Sequence, residues 1–137
     1  MTGYAEKPSP DPNVRAEAFA KRAFCTANTR NLVILPDGKV TVCEELYDYP
    51  EFIIGDLKKQ TIRELWTSQK ALSLFQQVQS TFPDDSACKN CEDFVECRQG
   101  KGVCYKNILK AYGIANWQYP DPGCPRAGMP TQQFWLE

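Results

Sequence analysis

The sequence predicts a small α+β domain with an N-terminal helix, one β-hairpin, further short helices and long cysteine-bearing loops. Three observations support this fold class. The length of 137 residues suits one domain with a modest hydrophobic core. One strong turn sequence joins two short runs of β-forming residues. Helix-capping residues precede several apolar stretches with helical periodicity.

The N-terminal part predicts an irregular lead-in followed by a helix. Residues 1–11 are rich in proline and polar residues, so we expect a disordered lead-in or linker, with the domain itself spanning residues 12–137. Asp11 is a suitable N-cap and Pro12 a suitable first helical residue. Apolar residues then recur at helical spacing up to Cys25 and predict one stripe, formed by Ala16, Phe19, Ala20, Ala23 and Phe24.

Residues 31–43 contain the clearest hairpin signal. The central Pro36-Asp37-Gly38 sequence favours a type I turn closed by a glycine in the left-handed conformation. This turn pairs Leu35 with Lys39. The resulting register places Cys43 on the face opposite an apolar set that consists of Leu32, Ile34, Val40 and Val42.

Two helix starts follow the hairpin. Thr61 and Glu64 form a capping-box sequence, which predicts a helix that begins at Thr61. Ser68 is a suitable N-cap for the next helix. The side chains predicted to point inward from that second helix are Ala71, Leu74, Phe75 and Val78.

The C-terminal third combines a loop, a helix and a turn-rich tail. Residues 88–102 are polar and rich in cysteine, which predicts a loop, and a last helix is expected from Val103 to Tyr112, before Gly113. We expect the tail to be ordered only through Cys124. Helical spacing predicts core packing for Trp66, Phe75 and Tyr112, whereas packing and cover for a metal site or partner remain alternatives for Trp117, Tyr119 and Trp135.

Charge and composition exclude several function classes. Sixteen basic and seventeen acidic residues give a net charge of −1, so we expect neither nucleic-acid binding nor membrane binding. The sequence has no long apolar run and no hydrophobic signal region near its start, so we expect a cytoplasmic protein. Because there is no histidine, histidine-dependent catalysis and histidine-containing zinc sites are also excluded.

The seven cysteines are the strongest chemical signal. Cys88 and Cys91 are separated by two residues, a spacing that lets two thiolates reach one metal centre from a tight turn. In a reducing cytosol this pattern favours metal ligands, and an odd count disfavours a framework of disulfides alone. Iron–sulfur clusters and structural zinc remain the two candidates, and folding is expected to depend on the bound metal. The full set is Cys25, Cys43, Cys88, Cys91, Cys97, Cys104 and Cys124.

The order and spacing of these cysteines resemble the SPASM domain, the C-terminal extension of radical S-adenosylmethionine enzymes that modify peptides and proteins. The resemblance covers roughly residues 24–126 and includes the Leu35–Val40 hairpin turn, the Ile54–Leu57 segment and the Asp121–Pro125 turn. It departs from the family in two respects. Six residues separate Cys97 from Cys104 where three are usual, and the chain lacks the eighth cysteine that some members have a few residues before the hairpin.

The resemblance implies two auxiliary 4Fe–4S clusters. One would be bound by Cys25, Cys43 and Cys104, with an open iron position or a fourth ligand from elsewhere. The other would be bound by Cys88, Cys91, Cys97 and Cys124.

The implied role is electron relay, substrate binding or both, within a maturase acting on a peptide or protein substrate. The sequence has no C-x3-C-x2-C triplet, so we expect it not to generate a radical alone and to need a radical S-adenosylmethionine barrel in cis or in trans. A free-standing iron–sulfur electron carrier and a zinc-stabilised module that binds peptides or partners remain alternatives.

Charged residues beside the cysteines have two interpretations. Arg98, Lys101 and Arg126 flank the expected ligands, and their side chains are interpreted as solvated surface charges, with compensation of cluster charge as the alternative. Glu44 and Glu45 follow Cys43 and are interpreted as exposed carboxylates.

Overall fold

The computed structural model describes residues 7–25 and 31–131. Within them it confirms the α+β class. The helices are α1 (Pro12–Ala20), α2 (Ile62–Trp66), α3 (Gln69–Phe75), a π-helix (Val95–Lys101) and α4 (Tyr105–Tyr112), and the strands are β1 (Val33–Ile34), β2 (Lys39–Thr41) and β3 (Ile53–Asp56). Residues 1–6 of the predicted lead-in and Trp135 lie outside the described residues.

The chain divides into two compact units. We call them the hairpin unit, within residues 24–78 and 95–102, and the terminal unit, within residues 1–23, 79–94 and 103–137. Each unit is built from segments that are distant in sequence, so contacts between such segments define it.

The hairpin unit contains an antiparallel sheet with the order β1-β2-β3. Ile34 pairs with Val40, which confirms the register predicted from the turn, and Gly38 has the expected positive φ of 90°. Val40 is fully buried while Ile34 is 55% exposed, because the two-residue strand β1 lies at the sheet edge. Thr41 is buried on the other face, where its hydroxyl donates to the Phe52 carbonyl at 2.8 Å.

Strand β3 was not predicted. It contains Gly55 and Asp56, which are depleted in strands, and only its first two residues are strong β-formers. Pairing with β2 compensates for this weak local propensity. Gly55 faces Leu65 of α2 so closely that a Cβ atom there would lie 2.5 Å from Leu65 Cδ1.

Helices α2 and α3 begin where their caps predict. Thr61 and Glu64 form the complete capping box, and the Ser68 hydroxyl accepts from the Ala71 backbone N–H at 3.2 Å. One expectation was wrong: helix α3 ends at Phe75, so Val78 lies beyond it and is 55% exposed. Trp66 packs as predicted, by stacking on Phe75 with 5.1 Å between ring centroids, although it lies at the edge of the core and is 37% exposed.

In the terminal unit, α1 has the predicted cap but not the predicted buried stripe. The Asp11 carboxylate accepts from the Asn13 backbone N–H at 2.8 Å, yet no residue of α1 is buried. A polar contact anchors the helix instead: Arg15 Nη2 donates to the Pro122 carbonyl at 2.8 Å. Phe24, the predicted end of the stripe, is 72% exposed.

Helix α4 supplies much of the terminal unit's core. Its buried residues are Tyr105, Ile108, Leu109, Ala111 and Tyr112. It begins two residues later than predicted and ends at Gly113, whose φ is 87°. Trp117 and Tyr119 pack near Tyr105 and Tyr112, with ring centroids 6.1 and 5.4 Å apart, so both aromatic side chains contribute to packing.

Helix α4 also anchors the tail. The Tyr112 hydroxyl donates to the Gly128 carbonyl at 2.7 Å, and the Thr131 backbone N–H donates to the Ala111 carbonyl at 2.8 Å. The expectation that this tail is ordered only through Cys124 was therefore wrong. Burial raises the pKa of Tyr112 to about 12.

We predict that Gly55→Ala destabilises the protein by about 1–3 kcal/mol, because the new methyl group would overlap the fully buried Leu65 side chain. Urea unfolding of the two proteins measures the difference. Gly128→Ala is the control, since no atom lies within 4 Å of a Cβ atom at that position. Equal stability of Gly55→Ala and wild type would contradict the close approach of β3 to α2.

A second prediction concerns stability at high pH. Because the folded-state pKa of Tyr112 exceeds the ordinary tyrosine value of about 10, the unfolded chain loses this proton first as pH rises. The stabilisation from neutral Tyr112 is complete below pH of about 10 and is lost towards pH 12. Tyr112→Phe should therefore show a shallower loss of stability between these values in urea unfolding. Tyr47→Phe, at a position 63% exposed, should keep the wild-type slope; parallel slopes for all three proteins would contradict the prediction.

Candidate metal centre

All seven cysteines are half-buried and none forms a disulfide. Cys25, Cys43 and Cys97 belong to the hairpin unit, and the terminal unit contains Cys88, Cys91, Cys104 and Cys124. Half-buried thiols are shielded from bulk solvent yet accessible to a metal, and the absence of disulfides leaves every sulfur available as a ligand.

Cys43 and Cys25 form the first thiol pair. Cys43 lies just beyond β2, in an extended conformation, at the start of a 3₁₀ turn over Glu44–Leu46. Burial raises the pKa of its thiol, a hydrogen bond from the Glu45 backbone N–H lowers it, and the charges of Cys25, Glu45 and Glu44 raise it further. Cys25 is therefore close enough to Cys43 for the two sulfur atoms to interact electrostatically.

This pair fits a cationic metal centre. Without a metal, mutual repulsion and burial keep the Cys43 thiol protonated to higher pH. A bound cation reverses both effects, because it stabilises thiolate and offsets its charge.

Cys97 lies in the π-helix, where the sequence predicted a loop. The Gly102 backbone N–H donates to the Cys97 carbonyl at 2.6 Å, and the Cys25 backbone N–H donates to the Lys101 carbonyl at 2.8 Å. The first bond closes a turn of the π-helix, and the second holds the Cys25 backbone at the C-terminal end of this helix. Such helices often occur at functional sites.

The C-x2-C segment is held by a side chain that the sequence analysis missed. Cys88 lies in a 3₁₀ turn over Ala87–Asn90, and Ser86 caps this turn by accepting from the Cys88 backbone N–H at 3.2 Å. Gln79 Nε2 donates to the Cys88 carbonyl at 2.9 Å and to the Cys91 carbonyl at 2.8 Å. Gln79 thus fixes the backbone of both cysteines. The sequence around Gln79 contains no motif that predicts this role.

Cys124 shares a positively charged neighbour with Cys91. The Arg126 backbone N–H donates to Cys124 Sγ at 3.4 Å, and the guanidinium pairs with Asp93 at 3.1 Å. The hydrogen bond to Asp93 raises the pKa of Arg126, and the charges of Cys91 and Cys124 raise it further. One guanidinium therefore lies near both sulfur atoms, which supports the interpretation of Arg126 as a compensating charge.

The other charged residues that flank the cysteines differ in their burial and their contacts. Arg98 is only 1% exposed, so its interpretation as a solvated surface charge was wrong. The Lys101 ammonium lies 5.8 Å from the centre of the Phe24 ring. Glu44 is exposed, as expected, while Glu45 is half-buried.

The structure places Cys25 close to Cys43, and it places Cys91 and Cys124 close to Arg126. Across residues 7–25 and 31–131, no three or more cysteine, aspartate or glutamate side chains form a group with the geometry of a metal site. The complete ligand sets implied by the sequence therefore stay predictions, whereas the donor chemistry fits iron–sulfur clusters and also zinc.

None of the helices that the structure describes is long and apolar enough to span a membrane.

Comparison with known proteins gives a family match. Neither the curated proteins nor the solved structures include a match to this chain. Residues 25–92 match the SPASM family, described as an iron–sulfur cluster-binding domain, and this stretch includes Cys25, Cys43, Cys88 and Cys91. This match confirms the resemblance to the SPASM iron–sulfur cluster-binding domain over residues 25–92.

Proposed function

We propose that this protein binds two auxiliary 4Fe–4S clusters as the accessory domain of a radical S-adenosylmethionine maturase that modifies a peptide or protein. The family match supports the iron–sulfur chemistry. The observation that carries the proposal is the placement of the thiols: Cys25 interacts with Cys43, and Cys91 and Cys124 both interact with Arg126. Each pair belongs to a single ligand set in the assignment that the family resemblance implies.

The proposed ligand sets follow that assignment. Cys25, Cys43 and Cys104 would hold one cluster, with an open iron position or a fourth ligand from elsewhere. The second cluster would be held by Cys88, Cys91, Cys97 and Cys124. Sequence order supports both sets for the part of the chain within the family match, and the sets are extended by resemblance to the cysteines beyond residue 92.

A 4Fe–4S cluster, when bound, supplies one-electron transfer at a potential set by its charge environment and hydrogen bonds. The chain's own groups would tune that environment. The backbone N–H groups of Glu45 and Arg126 donate to the sulfur atoms of Cys43 and Cys124, and the Arg126 guanidinium adds positive charge. All three favour the thiolate form and a reduced centre.

The proposal includes partners. Because the sequence lacks the C-x3-C-x2-C triplet, cleavage of S-adenosylmethionine falls to a barrel domain in cis or in trans. The resemblance to the SPASM domain implies a peptide or protein substrate, and the near-neutral net charge offers no attraction for nucleic acid. A reducing cytoplasm would keep the seven thiols available for cluster assembly.

Anaerobic reconstitution tests the proposal most directly. The protein is incubated with iron and sulfide, desalted, and analysed for iron, labile sulfide and zinc. We expect about eight iron and about eight sulfide per chain, as two 4Fe–4S clusters require. About four iron would contradict the two-cluster assignment. A folded, colourless protein that binds zinc would contradict the iron–sulfur assignment and support the alternative of a zinc-stabilised module.

Cysteine substitutions test the ligand sets. We expect Cys91→Ser to remove one cluster outright and Cys25→Ser to affect only the other, because serine is a poor ligand for iron at these positions. Electron paramagnetic resonance of the reduced proteins distinguishes the two signals, and each variant serves as the control for the other. Loss of the same signal in both variants would contradict the assignment.

A further inference from the structure

Asp121 lies between two of the proposed ligands in the terminal unit. Its carboxylate Oδ2 accepts from the Cys104 backbone N–H at 3.2 Å, and its Oδ1 accepts from the Gly123 backbone N–H at 2.9 Å. Its carbonyl accepts from the Cys124 backbone N–H at 2.8 Å. One residue is thus bonded to the backbones of both Cys104 and Cys124.

The turn that carries Cys124 is also held from α1. Arg15 Nη2 donates to the Pro122 carbonyl at 2.8 Å, and Arg15 Nε donates to the Gly123 carbonyl at 3.5 Å. These bonds form without a contribution from the Cys124 sulfur atom. Polar groups other than the Cys124 thiol therefore hold this turn.

The carboxylate geometry favours a supporting role over direct ligation. Each of the two oxygen atoms already accepts a backbone N–H, one from the start of α4 and one from the Gly123 turn. Hydrogen bonds that a charged acceptor receives from a backbone donor are generally stronger than those between neutral groups. Groups that orient metal ligands in this way affect metal retention although they do not touch the metal.

We infer that Asp121 is a positioning residue that fixes the backbone of Cys104 relative to that of Cys124 and so prepares both thiolates for cluster binding. The inference rests on the proposed function, since it requires both cysteines to be ligands. It adds a residue that is not a ligand but controls two of them.

Two substitutions distinguish the side-chain hydrogen bond that Asp121 accepts from Cys104 from the one that it accepts from Gly123. Asp121→Asn keeps an oxygen that can accept from Gly123, but its amide nitrogen cannot accept from Cys104. Asp121→Ala removes both side-chain bonds. We expect Asp121→Asn to alter the spectroscopic signal that Cys104→Ser abolishes and to lose iron to a chelator about tenfold faster than wild type. Asp121→Ala should in addition alter the signal that Cys124→Ser abolishes.

Asp85→Asn is the matched control. Asp85 accepts from the Tyr119 hydroxyl in the same unit, so this substitution also replaces a hydrogen-bonded carboxylate with an amide. Reconstituted wild type is measured first; a wild type without iron would overturn the proposed function and this inference together. If wild type holds its clusters, Asp121 variants that match Asp85→Asn in signal and iron retention overturn the inference alone. Loss of every signal together with helical circular dichroism would show a role in folding only and would also overturn it.

Discussion

The structure depends on holding several thiol groups near one another without joining them in disulfides. Thiolates repel, and the raised pKa of Cys43 shows that burial and neighbouring negative charge, including Cys25, already act against ionisation. A cationic metal centre relieves this repulsion. The surrounding chain must therefore hold such thiols in place before a metal binds. Polar contacts within the fold provide the means of doing so.

The means are polar side chains bonded to the backbone of the cysteines. Gln79 donates to the carbonyls of Cys88 and Cys91, and Asp121 accepts from the backbone N–H of Cys104. These contacts leave the sulfur atoms themselves available to a metal. They also explain how loops with little apolar cover adopt defined positions, because each bond replaces ordering that a larger hydrophobic core would have provided.

Local signals in the sequence predicted local structure well. The Thr61 cap and the Gly38 turn are determined by residues within four positions, so both were predicted in detail. Tertiary context decided the rest. The Phe19 stripe was not buried because Arg15 anchors α1 through polar bonds to residues about a hundred positions away. Likewise, the spacing of the cysteines predicts that they are ligands, but the role of Gln79 is recognised only once its carbonyl partners are placed.

The π-helix accounts for the unusual spacing between Cys97 and Cys104. Six residues separate these cysteines, which in an open loop would leave the second ligand poorly placed relative to the first. Instead, the bond from Gly102 to the Cys97 carbonyl folds the intervening chain into a single wide turn, and Gly102 adopts a φ of 83° that other residues rarely tolerate. Arg98, a residue of this helix, is only 1% exposed. Most of the residues between Cys97 and Cys104 thus belong to a helix and not to a long loop.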